Sequence, residues 1–232
     1  ARKAKFTNIS LDLMYGIPSQ TMQTWKKTLD DAIALDPTHI SCYALKVEPG
    51  TKLSENLDQY VIPDDDTASD LYLYAVERLA EAGYEQYEVS NFAKPGYLCR
   101  HNYKYWDLSE YWGVGPSAHS FLSKMRFSYL ANTDRYMQGV KNGEAIIENT
   151  ERAEGIERAG EQLMLALRTT KGISEEACLR KYEEQGCATF EDGNWHLTPK
   201  GFLISNPIIA DILVALEQSE HIAKASFFGI NR

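Results

Sequence analysis

The sequence predicts an α/β fold with parallel strands, followed by a small α+β unit. Two observations carry this: strand-length apolar runs alternate with amphipathic helices over the first half, and from about Glu151 that alternation gives way to a helix, helix, hairpin, helix order. The run from Asn8 to Tyr15 is nearly continuous in apolar residues and is stopped by Gly16 and Pro18, which fits a strand covered on both faces; its polar exception is Asp12. Thr21 to Leu35 then places Trp25, Leu29, Ala32 and Ile33 at helical spacing. Asp36-Pro37 ends that helix, because proline disfavours the helical conformation of the residue before it. A second strand follows over Thr38 to Leu45, and strand, helix, strand over this length is the crossover that makes a parallel pair.

Asp64-Asp65-Asp66-Thr67 opens the next helix, with Ala68, Leu71, Ala75, Leu79 and Ala82 on one face and Gly83 at its end. Carboxylates are favoured at the positive end of a helix, so this acidic run is read as a cap and not as a metal site. A third strand is predicted from Tyr84 to Val89. In parallel sheets ligands bind beyond the carboxyl ends of the strands, which directs attention to the loops after Tyr15, Leu45 and Val89.

The domain boundary is placed near residue 150, dividing the chain into 1–150 and 151–232. In the second part Ile156, Ala159, Leu163, Met164 and Leu167 mark a helix, and Ser174 caps a short one with Ala177, Cys178 and Tyr182 inward. Thr189 to Leu197 reads as a hairpin turning at Asp192-Gly193. Thr198 caps a further helix with Pro199 in its first position, and Asn206-Pro207 kinks or restarts the helix that buries Ile208, Ile209, Ile212, Leu213 and Leu216. The order is winged-helix-like. A DNA-binding reading fails on charge, because the helix that would enter the groove carries Glu175, Glu176, Glu183 and Glu184 against Arg180 and Lys181. A lid or packing module fits better.

The 232 residues are 44% hydrophobic, ordinary for a protein with a real core, and the formal net charge is −9. That charge argues against nucleic acid and anionic lipid as main partners, since both require clustered Lys and Arg. The apolar stretch from Phe202 to Leu216 is interrupted by Ser205, Asn206, Pro207 and Asp211 and is too short to span a bilayer. The basic start, Ala1-Arg2-Lys3-Ala4-Lys5, has no apolar run behind it and does not read as a secretory signal, so a cytoplasmic location is expected. Cys42, Cys99, Cys178 and Cys187 show no metal-knuckle spacing, and His39, His196 and His221 have no second ligand at metal spacing.

Leu11-Asp12-Leu13-Met14-Tyr15-Gly16-Ile17-Pro18-Ser19-Gln20-Thr21 resembles the D-L-[MI]-Y-G-[LI]-P-x-Q-T signature of radical-SAM oxygen-independent coproporphyrinogen-oxidase-like proteins. Further similar strings follow in order: Ser41 to Leu45 with Glu48 to Thr51, Tyr87 to Ala93, Gly113 to Ser120, Leu167 to Ile173 and Leu197 to Gly201. The resemblance implies the C-terminal part of an incomplete radical-SAM (β/α) barrel with parallel strands, followed by a small winged-helix-like α+β domain. Members of the family open with C-x-x-x-C-x-x-C, which holds a [4Fe–4S] cluster that cleaves S-adenosylmethionine; this sequence has no such motif, so a truncated form or gene fragment is expected. The cluster belongs to the full-length parent, no catalytic residue is assigned here, and the chain alone is expected to be inactive. Strand edges left unpaired favour self-association into a homo-oligomer.

The resemblance places Asp12 against S-adenosylmethionine and the backbone of Ala44 and His119 in the same pocket. A carboxylate in an apolar strand is expensive to bury without a partner, which agrees; a structural salt bridge inside the barrel is the alternative. Arg100 to Trp106 carries H-N-x-x-Y-W, which resembles the motif that marks the haem-chaperone branch of the family. It implies His101 as a ligand of haem iron, with Asn102, Tyr105 and Trp106 in the haem site. Tyr103, Tyr111 and Trp112 add flat apolar faces, and Arg100 or Lys104 could meet a propionate. A loop histidine bonded to backbone is the competing reading of His101, and thiolate ligation by Cys99 is conceivable beside an idle thiol. The glycines of Gly113-Val114-Gly115 are implied to allow close backbone approach to adenosine. Three functions are weighed: a chaperone binding haem, or a porphyrin, and delivering it to respiratory haem proteins; an oxidase decarboxylating coproporphyrinogen III; and a docking remnant that binds no tetrapyrrole.

Overall fold

The computed structural model describes residues 1–152, 155–174 and 179–215. A 3-10 turn at Arg2–Ala4 precedes β1 (Ser10–Tyr15), α1 (Met22–Ala34) and β2 (His39–Ala44). β1 and β2 are parallel, with Ser10 opposite His39, Asp12 opposite Ser41 and Tyr15 opposite Ala44. α1 starts where predicted because Thr21 and Thr24 cap each other reciprocally, Thr21 accepting from the Thr24 amide and Thr24 from the Thr21 amide. It buries Trp25, Leu29 and Ala32. After the short α2 (Lys52–Glu55), α3 (Asp65–Glu81) is capped by Asp64, whose carboxylate accepts from the Thr67 amide at 2.9 Å, and ends ahead of Gly83 at φ 83.

Two expectations about this region are corrected. The strand predicted from Tyr84 to Val89 shortens to β3 (Glu85–Gln86), and the chain then turns back into β4 (Asn91–Ala93), which is antiparallel to β3 and to β2. The sheet order is β1-β2-β4-β3, a mixed sheet with one parallel pair. The break comes from Glu88, whose buried carboxylate accepts from the Ser90 amide at 2.7 Å and from the Asn91 side chain, folding the chain back. The second correction concerns β1, which is not covered on both faces. Leu11, Leu13 and Tyr15 lie on the helix side, where Tyr15 meets Trp25 and Tyr72 at ring distances of 5.9 and 6.2 Å, while Ser10, Asp12 and Met14 are exposed. Asp12 is therefore a solvent-accessible carboxylate.

Next come α4 (Arg100–Trp106), β5 (His119–Leu122), β6 (Met125–Tyr129), α5 (Thr133–Asn142), β7 (Ile147–Arg152) and α6 (Gly155–Ala166). β5, β6 and β7 form an antiparallel sheet in that order, which the sequence reading did not anticipate. Then follow α7 (Arg180–Glu183), β8 (Ala188–Glu191), β9 (Asn194–Leu197), α8 (Pro199–Leu203) and a helix α9 over 205–215. The hairpin turns at Asp192 and Gly193, at φ 50 and 80, the double positive φ of a type I′ turn. Thr198 caps α8 and Pro199 opens it, as expected. The restart falls at Ile204, which puts Pro207 in the first turn of α9, where its missing N–H is not needed. Ile208, Ile209 and Ile212 are buried; Leu216, and the helix expected over Ala177 and Cys178, lie outside the described residues.

The chain divides into two compact units, residues 1–99 with 167–232, and residues 100–166. Within the first unit the returning chain is sewn to the segment after β3. The Val89 amide donates to the Arg168 carbonyl at 3.0 Å and the Thr170 amide to the Tyr87 carbonyl at 3.1 Å. The first unit's core is built on the fully buried Trp25, Phe92, Leu29, Ile40, Leu71 and Leu79.

Candidate functional site

In the first unit the signature loop is explained largely by its own geometry. Gly16 sits at φ 74, a conformation that strains other residues, and its amide donates to Gln20 Oε1 at 2.6 Å. Gln20 thus closes the loop from β1 into α1, and Thr21 then caps the helix. Burial pushes the Tyr15 phenol up to about 12, consistent with its place under the sheet. Asp12 is left as the chemically available member: its Oδ1 accepts from the Ser41 hydroxyl at 2.9 Å, and the carboxylate sits exposed in the middle of β1. Ala44 is the last residue of β2, at the carboxyl end of the parallel pair, and is exposed.

On the same face as Asp12 the structure reveals a polar network that sequence reasoning missed. His39, assigned no role beyond starting a strand, is 6% exposed; its Nδ1 pairs with the Ser10 hydroxyl and its Nε2 with the Tyr87 hydroxyl, each at 2.8 Å. Burial holds its imidazole below the ordinary histidine range, opposed by the nearby Asp12 charge. The signal was present in the parallel register, which sets Ser10 beside His39, but nothing in the sequence alone gives the Tyr87 contact. His196 is bonded to backbone, Nδ1 to the Thr170 carbonyl at 2.7 Å and Nε2 to that of Glu191 at 3.3 Å.

In the second unit the H-N-x-x-Y-W residues lie on a helix, not in a loop. His101 and Tyr105 are one turn apart on α4, with rings 5.5 Å apart edge to face and the Tyr105 hydroxyl 3.2 Å from His101 Nε2. Tyr105 in turn packs edge-on against Tyr111 at 4.6 Å, and Tyr111 lies 6.5 Å from Phe121. Tyr111 and Phe121 exchange backbone hydrogen bonds of 3.0 and 2.9 Å, fixing the row to β5. Phe121 is held beneath the guanidinium groups of Arg158 and Arg126, which both pair with Glu161. His101 and Tyr105 are exposed at the free end of this row. Trp106 Nε1 is buried and has no hydrogen-bond partner among the described residues. Lys104 donates to the Glu110 carbonyl at 3.0 Å. Trp112 is exposed, its Nε1 donating to the Tyr129 hydroxyl at 3.0 Å.

His119 opens β5 and is exposed. The Cβ of any other residue at position 113 would lie 2.2 Å from the His119 carbonyl oxygen, so Gly113 is required by the chain's own packing. Asp12 and Ala44 thus belong to the first unit, and His119 and the H-N-x-x-Y-W residues to the second. Cys42 and Cys187 are buried and Cys99 is exposed; burial pushes the Cys42 thiol up to about 12. Among the described residues no group of three or more His, Cys, Asp or Glu converges to hold a metal ion, so they do not fit an iron–sulfur cluster. No described helix is long and apolar enough to cross a membrane.

No family model matches the chain. Its fold matches coproporphyrinogen III oxidase (HemN) from Escherichia coli, a radical-SAM enzyme, with a TM-score of 0.69 over 92% of this chain and 55% of that one, at 17% identity. This is the mixed α/β fold of the radical-SAM coproporphyrinogen oxidases. Among curated proteins, the haem chaperone HemW of Synechocystis is 36% identical over 176 residues, 74% of this chain and 43% of its own length. HemW of Escherichia coli is 32% identical over 217 residues, 87% of this chain and 57% of its own length. HemW of Mycobacterium tuberculosis is 30% identical over 217 residues, 90% and 56% respectively. The chain belongs to the HemW family and spans about half the length of the curated relatives it matches.

Proposed function

We propose that the chain is the haem-handling part of a haem chaperone, and that His101 ligates the iron. The observation that carries this is the exposed imidazole at the end of an aromatic row, Tyr105, Tyr111 and Phe121, within the H-N-x-x-Y-W string of a chain related to proteins named haem chaperones. A porphyrin is a flat apolar body with anionic edges. It is matched here by exposed ring faces and by an imidazole able to coordinate iron. Asn102, Tyr105 and Trp106 complete the proposed site. Haem-accepting respiratory proteins are the partners this reading implies, with a cytoplasmic location for the chain, self-association through open strand edges, and 1–150 and 151–232 as the family's two domains, the second winged-helix-like.

Asp12, Ala44 and His119 are the residues we assign to S-adenosylmethionine. The exposed Asp12 carboxylate suits a ribose hydroxyl, with Ser41 holding its other side. Bound with a cluster in the full-length parent, that cofactor would supply radical chemistry; the described residues do not provide the cluster, and no step is derived through it. The test is a haemin titration followed in the Soret region, comparing the chain with His101→Ala. Saturable one-site binding that is lost in the variant is expected. Binding that persists in His101→Ala would remove His101 as the ligand, and no binding by either protein would move the function to docking or to an enzyme fragment.

A further inference from the structure

We propose that the Tyr105 phenol is a displaceable cap on the iron-binding nitrogen of His101, a positioning group that competes with haem iron and so favours release of the cargo. The proposal rests on the reading of His101 as the haem ligand. On α4 the two residues stand four apart, and the phenol oxygen lies 3.2 Å from Nε2, the ring nitrogen remote from the main chain. A macrocycle as wide as a porphyrin reaches the remote nitrogen far more readily than Nδ1, which sits beside Cβ and the helix backbone. Iron therefore takes the nitrogen that the phenol already engages. Whichever of the two atoms carries the shared proton, coordination breaks this hydrogen bond, and dissociation of iron restores it.

The two partners are unequally held, which is what a cap requires. Tyr105 is braced edge-on against Tyr111 at 4.6 Å, and Tyr111 is fixed to β5 through its backbone bonds to Phe121. His101 lies at the free end of the row. The phenol stays in place while the imidazole turns toward or away from it. The bond is exposed and long for a hydroxyl donor, so it is weak, and a weak competitor suits a protein that must give up what it binds. Removing such a bond should tighten haem binding by about 3- to 10-fold.

The experiment measures haemin affinity and the rate of haem transfer to an apo-globin acceptor for the whole chain, for Tyr105→Phe, which keeps the ring packing and loses the hydroxyl, and for His101→Ala. The expected result is tighter binding and slower transfer in Tyr105→Phe, with a histidine-ligated Soret band unchanged from the parent. Unchanged affinity and transfer in Tyr105→Phe would reduce Tyr105 to packing and overturn the proposal. Weaker binding would overturn it too, by showing that the phenol supports ligation through the other nitrogen. Haem binding that survives in His101→Ala would instead sink the ligand assignment, and the cap with it. Circular dichroism of each variant separates these outcomes from misfolding.

Discussion

Two tryptophans on helices show how differently the two units use the same side chain. Trp25 of α1 is fully buried, and its Nε1 donates to the Leu71 carbonyl at 2.8 Å, so both its apolar surface and its one polar atom are accounted for within the first unit. Trp106 of α4 also buries its Nε1, yet that donor has no partner among the described residues. Buried polar groups are nearly always paired, and an exception is found most often where the structure serves something besides its own stability. The first unit is organised around satisfied packing. The second leaves a donor without a partner among the described residues and sets His101, Tyr105, Trp112 and Val114 at its surface.

Trp25→Ala should have the largest effect, destabilising the first unit by about 3–5 kcal/mol through lost burial and the cavity left behind, read by urea unfolding. If the loss is below about 1 kcal/mol, the packing contrast between the units is wrong. Lys124→Gly should stabilise by about 0.5–1 kcal/mol, because Lys124 holds φ 63 in the β5–β6 turn, a conformation that glycine adopts without strain. Trp106→Phe should change stability less than Trp25→Phe, since it breaks no hydrogen bond among the described residues, while weakening haem binding; equal losses of stability in the two variants would show that Trp106 is an ordinary core residue.

The smallest effect at neutral pH belongs to His39. Its folded pKa is depressed, so the unfolded chain takes up the proton first as pH falls. Stability should drop from about pH 6.5 downward, through the folded value, and then level off. His39→Gln should flatten that part of the stability profile, measured by chemical unfolding across pH, and an unchanged slope would remove His39 from the acid response.

The Asp192-Gly193 and Ser123-Lys124 hairpins mark the limit of what the sequence discloses. Both turns place two successive residues at positive φ, as a type I′ turn requires. The first is written with glycine, the residue that favours the conformation, and was read directly. The second is written with serine and lysine, which carry no such mark, so the whole β5–β6–β7 sheet went unseen. Likewise the caps at Thr21, Asp64 and Thr198 are local and were legible, whereas the break between β3 and β4 depends on Glu88, whose carboxylate looks like any other acid in the sequence. The candidate site divides the same way. His101 and Tyr105 are four apart and can be paired from the sequence, but the burial of Trp106 Nε1 without a partner among the described residues and the Tyr87 contact of His39 are tertiary facts.

The hydrogen bonds that sew the returning chain to Tyr87 and Val89 join residues as many as 83 positions apart. They close a long loop, and lengthening or opening such a loop changes the closure entropy only slowly. A protease cut between residues 100 and 166 therefore need not divide the first unit. Its two strands of sequence, 1–99 and 167 onward, are held by backbone pairing and a shared core, so the nicked product should migrate as one species under native conditions and fall into two only in denaturant.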